Sequence, residues 1–218
     1  GYNEVEGFRL RAGERTYFSH NDLWRIAGYT AYGFRDQKWK YGLEGRYMFD
    51  RDFRATVGFG SREDILQLGS QLTTDDGIMT RSFASSSIFS SGSNASLSWL
   101  KQHNLFFSIE PIKNFQFRFD ASYQNIKSAN PEKFNLDFYK NGALKSETDD
   151  FHTTVSFIAR PGAKFSQYGV DRYEFTTLSP TIVLKYTHGF ENVMKGDFDY
   201  DKLQFLYSHP ILLGNYGK

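Results

Sequence analysis

Hydrophobic and polar positions alternate one for one over long stretches of this chain. From Lys38 to Phe49, Trp39, Tyr41, Leu43, Gly45, Tyr47 and Phe49 share one parity, and Lys38, Lys40, Gly42, Glu44, Arg46 and Met48 share the other. Successive side chains of an extended strand point to opposite faces, so this segment predicts a strand with one aromatic and one charged face. The segment before it repeats the arrangement, with Trp24, Ile26, Gly28, Thr30, Tyr32 and Phe34 opposed to Arg25, Ala27, Tyr29, Ala31, Gly33 and Arg35. After it, Phe53, Ala55, Val57 and Phe59 oppose Arg54, Thr56, Gly58, Gly60 and Arg62; later, Phe115, Phe117, Phe119, Ala121 and Tyr123 oppose Gln116, Arg118, Asp120, Ser122 and Gln124. Weaker copies at Arg9–Phe18, Leu105–Glu110, Phe151–Arg160, Thr181–Thr187 and Lys202–Ser208 bring the expected total to about nine strands. Glu14 falls on the apolar parity with Phe8, Leu10 and Ala12, which a bulge or a position near the membrane surface would accommodate.

Between these strands lie very short turns (Asp36-Gln37, Asp50 to Asp52, Pro111 to Asn114) and two long loops, at about 63–96 and 125–150. The first loop is Ser-rich from Ser82 to Ser98. The second contains Asn141-Gly142, a tight-turn signal that predicts a small hairpin between Phe134 and Leu144. Strand parity puts both loops at one end. The stretch from Pro161 to Thr177 falls at the other end and is also long, so either a strand is miscounted or one turn there is extended.

Alternation also serves a soluble sandwich or a lipocalin-like barrel, with the apolar face turned inward. Three features favour the membrane form. The clean strands run for about 10 to 12 residues, against about 5 to 6 in globular sheets and about 9 to 11 in membrane barrels. Aromatics stand at both ends of the strands, where interfacial girdles sit, and short turns coexist with long loops. Register supports the same reading, since a one-residue slip would turn Lys40, Glu44 and Arg46 to lipid, at about 2 to 4 kcal/mol per basic residue near the midplane.

The expected fold is therefore all-β: an antiparallel transmembrane β-barrel, an up-and-down meander, with residues 1–218 forming an incomplete part of one larger barrel domain. Trp24, Trp39, Tyr41, Tyr47, Phe49, Phe53, Phe115, Phe117 and Phe119 would face lipid. Arg25, Arg35, Lys38, Lys40, Arg46, Arg54 and Arg118, with Arg9, Arg11 and Arg62, would face the lumen. Arginine at Tyr41 or Phe117 should then be damaging, and arginine at Gly42 or Gln116 mild. An odd strand count and the turn-like ending Gly214 to Lys218 predict that these residues do not close a barrel by themselves.

Composition sharpens this picture. Aromatic residues make up 18% of the chain while mean hydropathy is −0.55, so apolar and polar residues must be interleaved. The longest apolar runs, such as Thr181 to Leu184, are far short of the roughly 18 to 20 residues of a spanning helix, which excludes a helical membrane protein. Without cysteine there is no disulfide framework, thiolate metal site or cysteine nucleophile. A net charge of +1 creates no global field that would recruit nucleic acid.

Candidate chemistry is sparse. Five histidines, His20, His103, His152, His188 and His209, lack metal-pair spacing. His152 is the one placed mid-pattern on the polar parity, whereas an outer-membrane lipase would need a serine and a histidine meeting on the lipid face. Asp197, Asp199 and Asp201 have the spacing that opens a calcium loop, but no glycine follows at the sixth position and Ser208 stands at the twelfth, so a charged strand entrance is the better reading. No catalytic, metal or cofactor residues are assigned. The basic polar-face residues are answered by few acids, chiefly Glu44 and Asp120. They either line an anion-leaning pore or pair with a plug, a folded-in loop or further strands. The second is preferred because buried basic clusters find partners.

The stretch from Tyr2 to Ser19 (YNEVEGFRLRAGERTYFS), followed by Gly28 to Asp50 (GYTAYGFRDQKWKYGLEGRYMFD), resembles the opening of the barrel region in a family of outer-membrane proteins catalogued only as a domain of unknown function. Ser179 to Tyr207 is similar to the same family's pattern of strand, short connection with an aspartate-rich strand entrance, and strand. The resemblance implies an outer-membrane β-barrel that commonly follows a carboxypeptidase-regulatory-like β-sandwich, and it carries over no catalytic residues.

The functional expectation is a non-enzymatic membrane scaffold or transport and assembly accessory in a bacterial outer membrane. Its partners would be outer-membrane lipids and other outer-membrane or periplasmic proteins, without nucleic acid and without a cofactor. The alternatives are a passive or gated pore with a basic lumen, an outer-membrane hydrolase, and a soluble β-barrel or sandwich that binds glycans through exposed aromatics.

Overall fold

The computed structural model describes residues 1–67, 97–132, 134–140, 142–175 and 178–211. These contain fourteen strands and no helix. The strands are β1 (Tyr2–Asn3), β2 (Gly7–Arg15), β3 (Trp24–Gly33), β4 (Trp39–Asp50), β5 (Ala55–Gln67), β6 (Leu97–Ile112) and β7 (Phe115–Ser128). There follow β8 (Phe138–Lys140), β9 (Ala143–Lys145), β10 (Glu147–Ala159), β11 (Phe165–Tyr168), β12 (Asp171–Glu174), β13 (Thr181–Gly189) and β14 (Tyr200–Ser208). Ten form one sheet in the order β1-β2-β3-β4-β5-β6-β7-β10-β13-β14, every pair antiparallel; β8–β9 and β11–β12 are separate hairpins. Apart from the two-residue β1, the sheet consists of the nine long strands that the alternation predicts.

The ladders run further than the clean alternation does. Glu63↔Lys101, Ile65↔Trp99 and Trp99↔Lys127 remain paired although charged residues interrupt the apolar parity there. Residues 63–67 of the first expected loop are accordingly strand, and residues 68–96 lie outside the described residues. The second shrinks to 129–146 and holds the expected small hairpin, β8 against β9, with Gly142 at φ 78° in its turn. At the other end of β4 the register shifts between Met48 and Asp50, and Arg54 adopts φ 50°, so β5 starts at Ala55 and both Phe53 and Arg54 belong to the turn. Glu14 pairs regularly with Gly28 one residue before β2 ends. It needs no bulge, because it sits at the strand terminus.

Burial is inverted relative to a globular sheet. On the outward face Leu10, Trp39, Tyr47, Phe49, Phe59, Leu105, Phe119, Leu184 and Phe205 are all exposed, while the opposite face buries Arg9, Arg25, Lys40, Glu44, Asp64, Ser156 and Lys185. The polar face is concave. Arg9 on β2 meets Asp64 on β5 in a bidentate pair, although three strand spacings would separate their backbones by about 14 Å on a flat sheet, where side chains stand perpendicular to the plane. Among the described residues β14 pairs only with β13, and the sheet is open rather than closed. A small apolar cluster of Val5, Ile65 and Leu97, with Trp99 and Ala129 against it, sits at the end that carries the β3–β4, β5–β6, β7–β10 and β13–β14 connections, the loop end.

Candidate functional site

The inner face gathers its charges into clusters whose members come from distant parts of the chain. At the loop end, the turn after β1 folds over the start of β4. Glu6 and Lys40, both 0% exposed, pair at 2.7 Å, and Lys40 also reaches Asp36 at 2.6 Å. Arg9 binds Asp64 through two nitrogens at 2.8 and 2.9 Å and Glu6 at 3.1 Å; the Tyr29 hydroxyl donates to Asp64 at 2.7 Å, and the Asn3 amide to Glu6 at 2.6 Å. Lower on the face, Arg46 pairs with Glu44, and Arg118 pairs with Asp120 at 2.7 Å.

At the opposite end, the turn end, the 160–180 connection leaves β10 and folds inward as the β11–β12 hairpin. Asp171 at the start of β12 accepts from the Arg25 Nε at 3.0 Å and lies 3.6 Å from Arg15. Arg172 pairs with Glu110 on β6, Arg54 donates to the Val170 carbonyl at 3.1 Å, and Asn114 donates to the Ala163 carbonyl at 2.9 Å. The Val170 N–H bonds the Asp22 carbonyl at 2.9 Å. Gly169, at φ 60°, passes so close that a β-carbon there would lie 2.0 Å from that same oxygen. The Asp22 carboxylate takes the Ser19 and Phe18 N–H groups, which hold it below its ordinary pKa. A strand count that otherwise holds thus leaves one extended turn, which reaches the basic residues of β2 and β3 and Arg54 of the β4–β5 turn.

Of the predicted inward basic residues, Arg25 and Lys40 are buried and Arg46 and Arg118 half-buried on the polar face; Arg54 faces the hairpin from a turn. Arg35 and Lys38 do not lie on that face. Both are exposed in the β3–β4 turn, Arg35 donating to the Glu4 carbonyl at 2.8 Å and Lys38 lying 5.0 Å from the centre of the Trp99 ring. The physical reason is that β3 ends at Gly33 and β4 starts at Trp39, so alternation no longer governs them. Trp24, Trp39, Tyr41, Tyr47, Phe49, Phe117 and Phe119 are exposed on the outward face, Phe115 is half-buried beside Phe157, and Phe53 is exposed in its turn. Gly42 is inward but not vacant, since a β-carbon there would meet the Tyr29 ring at 2.2 Å. Arginine at Gly42 is therefore not the mild change that parity alone predicts.

Glu6, Asp36, Asp64 and Asp171, acids that answer the basic residues, were invisible to strand parity because they lie in turns, near a strand end or in the folded-in hairpin. Asp197, Asp199 and Asp201 do not converge. Asp197 is buried against Lys145 at 2.7 Å, Lys140 at 3.2 Å and the Asp149 N–H at 2.9 Å. Burial raises its carboxyl, but the Lys145 hydrogen bond, then the Asp149 N–H and Lys140, outweigh it and hold it down to about 2. Asp201 instead takes the Tyr186 hydroxyl and His188, and Asp199 is exposed. His152 bonds Asp150 at 2.6 Å. Pairing also brings Ser61 and His103 together across β5 and β6 at 3.0 Å on the outward face, a contact that sequence spacing could not reveal. Among the described residues no carboxylate hydrogen-bonds that imidazole, and no group of His, Cys, Asp and Glu could hold a metal ion.

Fold and inner face define an all-β protein, an antiparallel meander that buries a set of ion-paired side chains on its concave side. The match over residues 1–218 is to the family described as Family of unknown function (DUF5686) C-terminal domain, and the chain belongs to that family. No curated protein and no solved structure matches it.

Proposed function

We propose that the chain is wall and plug of an outer-membrane β-barrel that serves as a non-enzymatic scaffold or as an accessory to transport or assembly. The observation that carries the proposal is the inverted burial: exposed Leu, Phe, Tyr and Trp on the outward face over buried Arg, Lys, Glu and Asp on the inner one. In water such a sheet would expose large apolar area without compensation, whereas lipid outside and a wet or ion-paired interior satisfy both faces. Further strands pairing with β14 and with the free length of β2 would complete the barrel, because unpaired N–H and C=O groups in lipid cost several kcal/mol each. The folded-in β11–β12 hairpin and its ion pairs support a closed conduit over an open pore with a basic lumen.

The test is fractionation of cells that produce the protein, followed by urea extraction of the membranes and comparison of gel mobility before and after boiling. Retention in urea-washed membranes with a heat-modifiable band is expected. Recovery in the soluble fraction, or extraction by urea, would refute the membrane reading and favour a soluble glycan-binding sheet.

A further inference from the structure

The outward face changes character at the loop end. Above the apolar positions Leu43, Phe59 and Leu105, the rim carries a cleft of about 310 Å³ lined by Lys38, Trp39, Glu63, Trp99 and Lys127. Its parts are held in place. The Trp99 indole N–H donates to Glu63 at 3.1 Å, and the Lys38 ammonium stands 5.0 Å from the centre of the Trp99 ring. Register sets Lys127 directly across from Trp99, and Lys101 across from Glu63. Glu63 is thus engaged by the indole, and the three lysines, Lys38, Lys101 and Lys127, outnumber Glu63 and Glu147, which stands across from Lys127 on β10.

We infer that this cleft binds the phosphate headgroup of an anionic membrane lipid, whose acyl chains lie down the outward apolar wall beneath Trp39. The inference rests on the membrane reading above. Lysine ammonium groups at the edge of an apolar band are where lipid phosphates stand, and amphipathic indoles favour the same level. The continuity of the cleft with the exposed aliphatic and aromatic wall selects a lipid over a free anion, which would find nothing to gain from that wall.

The test uses the full chain in dodecylmaltoside micelles, with tryptophan fluorescence read during titration by dioleoyl phosphatidic acid, dioleoyl phosphatidylcholine or inorganic phosphate. Phosphatidic acid should half-saturate the change at a concentration lower by about tenfold than phosphatidylcholine, and inorganic phosphate should give none. The pair Lys38→Gln and Lys127→Gln should abolish that preference and leave the heat-modifiable gel band unchanged; both residues are exposed. An equal response to the two lipids, an unchanged preference in the double variant, or saturation by inorganic phosphate alone would overturn the site while leaving the membrane reading standing. A chain that fails to enter bilayers at all overturns that reading, and this site with it.

Discussion

Replacing Asp171 with asparagine should release the β11–β12 hairpin from the inner face without unfolding the sheet. Asp171 accepts from Arg25 at 3.0 Å, and the Arg25 side chain is 4% exposed. Removing one partner of a buried ion pair costs about 3 to 5 kcal/mol because the other charge is left uncompensated. The low end applies here, since Arg25 keeps Asp22 at 3.7 Å and the Thr16 carbonyl. A loss of about 3 kcal/mol raises the ratio of detached to docked hairpin by about 150-fold. The second partner contributes little, because the Arg15 side chain is 53% exposed and a pair of that kind is worth under about 1 kcal/mol. Hydrogen exchange followed by mass spectrometry reads the result peptide by peptide. Peptides covering 160–175 should exchange faster by roughly that factor in Asp171→Asn and by less than about fivefold in Arg15→Gln, with the β4–β7 peptides unchanged. Unaltered exchange of the hairpin in Asp171→Asn, or equal acceleration across the whole sheet, would refute a latch made by this pair.

Alanine at Gly169 should detach the same hairpin without altering any charge, because the residue holds φ 60° and its new methyl would lie 2.0 Å from the Asp22 carbonyl; protection of 160–175 equal to that of the native chain would refute the close approach. Phe117→Arg places a charge on the outward face and should cost about 2 to 4 kcal/mol of assembly, while Gln116→Arg, on the opposite parity, should be tolerated better; equal yields of heat-modifiable protein would dismiss the assignment of faces. For Asp197 the folded carboxyl lies at about 2, below its unfolded value, so its stabilisation is present above pH ~4 and is lost as pH falls through about 2. Pepsin cleavage around 138–145 should rise across that window in the native chain and show no such rise in Asp197→Asn.

The faces and number of the long strands were legible in the sequence because a period of two is local: each residue's parity follows from its neighbours, as Trp39 to Phe49 demonstrate. The membership of the inner and outer walls followed wherever that parity was unbroken. It failed where the chain leaves the ladder between β3 and β4, at Arg35 and Lys38, since turn residues obey no alternation. The length of the 161–177 connection was visible, but its docking was not. The pairs Arg25–Asp171 and Arg172–Glu110 join residues far apart in sequence, and only the curl of the sheet brings them within reach. The Arg9–Asp64–Tyr29 cluster and the Trp99 rim cleft arise in the same way, from register among strands that are not neighbours in the sequence. Alternation determines which side of a strand a residue occupies. Which residues then meet across the concave face depends on strand order, register and curvature, quantities that exist only once the sheet is assembled.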